Sequence, residues 1–295
     1  MYNLGVLLTD YWNPPDLPTA RSLYEKAAES GNSDAMTALG SLLTTRWDPP
    51  ELSTARACYE RAAKAGNTEA MYNLGVLLTD YWNPPDLPTA RAWYEKAAEA
   101  GHTVAMLNLG ALLTSRWMPP DFSTARSWYE KAADGGNVPA MYNLGRLLMH
   151  RYDPPDISAA RSWWEKAAAA GDLRAMTSLA WLIAEMWDPP ELSTARELAE
   201  KAASLGHTDA MSWLAFSFLR HSDPPDLTAA RAWYEKAAST AEPQPMYDFG
   251  VFLADFWVPP DLSAARSWLQ RAADAGHLDA MGFLILLASR PPGSV

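Results

Sequence analysis

The sequence predicts an all-α solenoid built from antiparallel helix hairpins. Three observations carry that expectation. The first is a strict thirty-five-residue period: Met stands at 1, 36, 71, 106, 141, 176, 211, 246 and 281. A fixed period of this size marks a repeat array. The second is an apolar stripe at helical spacing, found twice in every period. The third is a Pro-Pro pair between the two stripes, from Pro14-Pro15 through Pro259-Pro260, eight times without a slip. No strand-type alternation appears. Residues 1–295 are therefore expected to form one array, with eight full repeats starting at Met1, Met36, Met71, Met106, Met141, Met176, Met211 and Met246. A partial repeat runs from Met281.

The third repeat shows how each element arises. Ala70, Leu74, Leu77, Leu78 and Tyr81 lie on one stripe of a first helix, here helix A. Gly66 suits the left-handed end of the preceding helix, and Asn67 or Thr68 can cap the new one. Helix A is expected to end near Trp82, because the residue before a proline resists the α-conformation. Asp86 then caps helix B, with Pro88 in its first turn, where a missing N–H costs nothing. Ala90, Trp93, Tyr94, Ala97 and Ala98 mark its apolar side. Each helix is roughly 14 residues, about 20 Å long.

Gly75 lies inside helix A, where Gly costs about 1 kcal/mol relative to Ala. Its recurrence at 5, 40, 75, 110, 145 and 250 points to close approach of helix B, with small Ala90 or Ala97 opposite. Ala180 and Ala215 replace it and stay small. Ile285 replaces it in the final half repeat, where no helix B follows.

The motifs Leu74-Gly75, Ala90, Trp93-Tyr94, Lys96-Ala97-Ala98, Gly101 and Ala105 resemble the Sel-one-like repeat (SLR), a relative of the tetratricopeptide repeat. The resemblance covers nearly the whole chain. The usual Gly-x-Gly-Val hairpin loop is replaced by x-Pro-Pro-Asp/Glu, and the repeat is one residue shorter than is common. The resemblance implies a right-handed α-solenoid that binds other proteins, often as an adaptor in signalling complexes. It also implies that helix A lines the inner, concave surface.

Composition narrows the function classes. Hydrophobic residues make up 48%, which excludes wholesale disorder. The net charge of −11 argues against nucleic-acid binding, which needs a basic face. No apolar run approaches the ~20 residues of a membrane span. The single cysteine, Cys58, cannot form an internal disulfide and reads as a small buried residue. No signal peptide is visible; the compartment is left open, with a cytoplasmic one favoured over others. No nucleophile, base and orienting group come together, no phosphate-binding glycine loop is present, and no Cys/His/carboxylate set has metal-ligand spacing. The expectation is a protein that is not an enzyme and carries no cofactor.

Eleven of the fourteen tryptophans fall in two columns, one before the Pro-Pro pair and one on helix B, and read as packing residues. The arginines of the recurring Ala-Arg motif are expected to pair with nearby carboxylates. His102, His207 and His277 fall beside the cap of helix A, whereas His150 and His221 lie at a helix end. The seventh linker, Ala241-Glu242-Pro243-Gln244-Pro245, lacks the column glycine, so a shorter or shifted helix start is expected there.

Positions 2, 3, 6, 9 and 10 of the repeat share the side of helix A expected to face away from helix B. Their occupants include Tyr72, Asn73, Val76, Asn108, Tyr142, Asn143 and Arg146. Asn both donates to and accepts from an extended backbone. Repeats five to seven add the divergent residues Arg146, Trp181, Trp213 and Phe216, of types enriched at binding hot spots. The leading expectation is a scaffold that binds a protein or peptide along this concave surface. The alternative is a purely structural array, natural or built to a consensus. It draws on the identity of residues 1–21 with residues 71–91. The last helix, read as Met281 to about Ser289 with a stop at Pro291-Pro292, is mostly apolar. The open ends are thus expected to meet other molecules, including a second copy end to end.

Overall fold

The computed structural model describes residues 1–289. Among them the chain forms α-helices and two short π-helical turns, with no strand. It divides into two compact units, Met1–Arg151 and Tyr152–Val295.

The first unit holds α1 (Tyr2–Val6), α2 (Leu17–Glu29), α3 (Ser33–Thr45), α4 (Leu52–Lys64), α5 (Thr68–Val76), α6 (Leu87–Glu99), α7 (Thr103–Ser115), α8 (Phe122–Asp134) and α9 (Val138–His150). The second holds α10 (Ile157–Ala169), α11 (Leu173–Glu185), α12 (Leu192–Ser204), α13 (Thr208–Arg220), α14 (Leu227–Ala238), α15 (Pro243–Asp255), α16 (Leu262–Asp274) and α17 (Leu278–Ser289). Odd-numbered helices are helix A and even-numbered ones helix B. Within each unit consecutive helices pack on one another, joined by loops too short for anything but antiparallel neighbours.

Capping residues set the register. Asn32, Asn67 and Asn137 accept the N–H of the third residue on, as Asn67 Oδ1 does from Ala70 at 2.9 Å. Asp86 Oδ1 accepts from Thr89 N–H at 3.2 Å to begin α6. The same bond from Thr124 holds the Asp121 carboxyl below the usual range. Where Glu replaces Asp, the longer side chain does not cap. Glu51 and Glu191 instead take Arg21 and Arg161 of the preceding helix B, at 2.6 and 2.8 Å. Helix A ends on a 2.8 Å bond from Trp82 N–H to Leu77 O, repeated in other hairpins. In α1 and α5 this closure becomes a π-turn, Leu7–Tyr11 and Leu77–Tyr81. The first proline of each pair follows a cis peptide bond.

The core is the pair of stripes meeting. Leu74, Leu77 and Leu78 of the third repeat are buried against a helix B whose Ala90, Tyr94, Ala97 and Ala98 are also buried. Each buried Leu contributes roughly 1.5–3 kcal/mol. Cys58 is buried as expected, and burial pushes its thiol up.

Three expectations are corrected. At Gly75 the approaching group is an aromatic ring and not a small residue: a Cβ there would lie 2.5 Å from Tyr94 Cε1, while at Gly250 the group met is Leu269. Position 9 turns inward: Thr79 is buried, and its hydroxyl meets Tyr94 Oη at 3.3 Å. In the seventh linker α15 starts in register at Pro243 with full length, while α14 ends one residue early. Ala241 takes the column glycine's left-handed place with φ 67°.

The arginine and tryptophan columns also interlock. The Arg21, Arg56, Arg91, Arg161 and Arg231 guanidiniums lie over the rings of Trp47, Trp82, Trp117, Trp187 and Trp257, one hairpin on, at 4.3 to 5.2 Å. The first four of these also pair with the Glu four residues later on their own helix. On helix B, Lys96 lies 4.2 Å from the centroid of Trp93.

Candidate functional site

Because each helix A starts in the same register, positions 2, 3 and 6 recur at equivalent places. In the first unit Tyr72, Asn73 and Val76 of α5, Asn108 of α7, and Tyr142 and Asn143 of α9 are half-buried, and Arg146 is exposed. Asn108 Nδ2 reaches Tyr72 Oη at 3.5 Å, tying one helix A to the next. The other face of the Tyr72 ring stacks on His102 at 4.8 Å. His102 doubles as the α7 cap, accepting from Ala105 N–H, and its Nε2 lies 3.0 Å from Glu69. The side-chain amides of Asn73 and Asn143 have no hydrogen-bond partner among the described residues, so they are available to a ligand backbone. The Arg146 guanidinium lies 5.8 Å from the centroid of Tyr142.

In the second unit Trp181 of α11 is 37% exposed and Phe216 of α13 is 36% exposed. Phe216 meets His221 edge-on at 6.2 Å, with Arg220 5.8 Å from its ring. His221 Nε2 contacts Glu185 Oε1 at 2.6 Å. Trp213 is placed differently from the other divergent residues. It is only 7% exposed, and its indole N–H is buried with no partner among the described residues. At position 3 of this repeat Trp213 packs into the core and does not offer a surface.

One arrangement escaped the sequence reading. The residue at position 10 of one repeat meets position 11 of the next. Asp10 pairs with Arg46 at 3.0 Å, Asp80 with Arg116 at 2.8 Å, and Glu185 with His221. A cleft lies beside two of these pairs, about 220 Å³ with Asp10 and Arg46 in its wall, and about 180 Å³ with Asp80 and Arg116. The corresponding cleft one repeat further, between α7 and α9, is about 650 Å³ and includes Ser115, Asn143, Arg146, His150 and Arg151. Burial, with Arg146 and Arg151 nearby, holds the His150 imidazole below its usual range. Reading position 10 against position 11 of the following repeat would have exposed this ladder.

Among the described residues no group of three or more His, Cys, Asp and Glu side chains could hold a metal ion. None of the described helices is long and apolar enough to cross a membrane.

Helix hairpins of this geometry, stacked through shared apolar stripes, define an α-solenoid of the tetratricopeptide-like class. The Sel1 repeat family model matches residues 1–32, 33–67, 68–102, 103–137, 138–172, 175–207, 208–239 and 246–277, and the chain belongs to the Sel1 repeat family. Its fold is similar to that of a Sel1 repeat protein from Oxalobacter formigenes, with TM-score 0.73 and 26% identity over 97% of this chain and 85% of that one. It is also similar to c5321, a protective antigen of uropathogenic Escherichia coli displaying an SLR fold, with TM-score 0.76 and 23% identity over 93% of this chain. The chain spans 60% of the length of c5321. Yeast Tom70 shares the fold more distantly, with TM-score 0.57 and 13% identity over 92% of this chain and 58% of that one. No curated protein matches the chain in sequence. Repeat proteins of this kind generally mediate protein–protein interaction.

Proposed function

We propose that this protein is a non-catalytic interaction scaffold that binds an extended peptide or protein segment along the helix-A surface, the wall expected to be concave. One observation carries this reading: Asn73 and Asn143 hold half-exposed, unpartnered amides at one repeat position, beside the half-buried rings of Tyr72 and Tyr142. An amide pair satisfies a peptide backbone, and a neighbouring ring supplies apolar contact. In the second unit Trp181 and Phe216 are the exposed aromatic anchors.

The test is selection of binders to the full chain from a displayed peptide library, followed by measurement on variants. Asn73→Ala with Asn143→Ala, and separately Trp181→Ala with Phe216→Ala, are expected to weaken binding roughly tenfold or more without moving the unfolding midpoint. Affinities unchanged in both pairs would remove the surface from consideration. The purely structural alternative keeps one specific support, the identity of residues 1–21 with 71–91, and an empty selection would favour it.

The same proposal includes self-association through the apolar surface of α17, where Ile285 is 71% exposed alongside exposed Met281 and Leu286. Sedimentation velocity across a concentration series is expected to show reversible association that Ile285→Lys abolishes. A species that stays monomeric at every concentration would dismiss it.

A further inference from the structure

Arginine stands at position 11 in three repeats, as Arg46, Arg116 and Arg151, and the last of these has lost its acid. In the intact rungs each arginine is occupied twice. Arg46 meets Asp10 and donates to Thr9 O at 2.6 Å; Arg116 meets Asp80 and donates to Thr79 O at 2.8 Å. At the next full rung Ser115 stands where the aspartate would be, opposite Arg151. Arg151 has no carboxylate partner among the described residues, and its guanidinium lies 5.7 Å from the centroid of Phe122. The same cleft gains a second cation, because Arg146 replaces the Val76 and Ala111 of the two repeats before it.

No Asp or Glu lines this cleft. Two guanidiniums without a carboxylate are out of keeping with a chain of net charge −11. Their mutual repulsion is relieved by an anion, and guanidinium forks match the planar or tetrahedral oxygens of carboxylate and phosphate. The Asn143 amide, itself unpartnered, adds a neutral donor. The serine and threonine hydroxyls are already spent on Ala111 O, at 2.7 and 3.0 Å. The cleft is about three times the volume of its two counterparts, where an internal aspartate sits on the arginine.

We propose that the cleft formed by Asn143, Arg146, His150 and Arg151 binds an oxyanion, a carboxylate or phosphate carried on a side chain of the bound peptide. This rests on the peptide-binding reading for its source, but the site's chemistry is testable without any peptide. The full chain would be titrated with inorganic phosphate and with acetate at constant ionic strength, following the arginine Nε–H and histidine ring signals by NMR. Both anions are expected to shift Arg146, His150 and Arg151 saturably. Ser115→Asp installs the missing rung and is expected to lower the affinity roughly tenfold or more, the scale of one hydrogen bond between charged groups. Asp80→Ser is the converse, and is expected to open a second site at Arg116. Far-UV circular dichroism would verify that both variants fold.

Wild-type affinity in Ser115→Asp, or shifts spread evenly over all arginines, would overturn the site. Matched peptides carrying Ser, Glu or phosphoserine then separate the sources. Preference for Glu assigns a carboxylate, and preference for phosphoserine a phosphate; equal binding of all three would overturn the peptide-borne anion. Small-anion binding with no peptide binding leaves the cleft assigned and defeats the groove. Peptide binding with no anion response does the reverse.

Discussion

Gly75→Ala should destabilise a helix that its own propensity says it should strengthen. Replacing Gly by Ala inside a helix normally gains about 1 kcal/mol. At Gly75 the new Cβ would lie 2.5, 2.6 and 2.9 Å from Cε1, Cδ1 and Cζ of Tyr94, all under the contact limit. The ring has little room to give. Tyr94 is buried, burial pushes its phenol up to about 12, and its hydroxyl is engaged with Thr79. Overpacking of this kind costs typically 1–3 kcal/mol, so the net loss should be up to about 2 kcal/mol after the propensity gain. Gly282 is the matched control, since nothing lies within 4 Å of its would-be Cβ in α17. There the same substitution should stabilise by up to about 1 kcal/mol. Tyr94→Ala alone should cost roughly 3–5 kcal/mol. In the double variant the methyl enters the vacated space, so the two losses should fall short of adding by about 1–3 kcal/mol. The chain already contains that double state, with Ala180 in the glycine column and Ala199 in the tyrosine column. Urea unfolding of the four proteins measures it. Stabilisation by Gly75→Ala, or strict additivity with Tyr94→Ala, would falsify the ring-contact account.

Two further substitutions return a divergent residue to its column. Ala241→Gly should stabilise by about 0.5–1 kcal/mol, because an L-residue at φ 67° pays a left-handed cost that glycine does not; a lower urea midpoint would count against it. Asp248 stands in the asparagine column of helix A, and burial raises its carboxyl pKa despite the Gln244 bond and nearby His277. A carboxyl whose folded pKa lies above its unfolded value favours folding at low pH and loses that contribution as pH rises through the folded pKa. Asp248→Asn should therefore be more stable than wild type at neutral pH, with the gap closing as pH falls through the folded pKa and closed below about 4. Parallel thermal unfolding curves at pH 7 and pH 3.5 that differ equally would contradict this.

Much of the fold was legible because it is periodic. The caps Asn67 and Asp86, the left-handed Gly66 and the stop before Pro84-Pro85 are local decisions made by local residues, and each recurs at fixed spacing. What was not legible depended on contact across helices. Gly75 announced a close approach, but the identity of the approaching group follows from how helix B is rotated, which sequence spacing does not state. The burial of Trp213 has the same origin, since exposure at position 3 depends on contacts across helices. Tyr72 and Asn73 fit beside the neighbouring helix A half-buried, whereas an indole there turns inward.

The charge ladder makes a different point about repeat proteins. Each repeat is an internal control for the others, because backbone geometry, capping and packing are held nearly constant while one column varies. Asp10 with Arg46 and Asp80 with Arg116 show what the geometry does when the rung is complete. Ser115 with Arg151 then differs by the loss of one carboxylate, and Arg146 adds a cation at the same cleft. In an irregular protein an unpaired surface arginine is unremarkable, since exposed ion pairs are worth only about 0–1 kcal/mol and are readily lost. Here the two rungs that keep both an aspartate and an arginine each form the pair. The open rung and its enlarged cleft therefore depart from the two complete rungs, and it is this departure, more than the presence of arginine, that singles out the surface between α7 and α9.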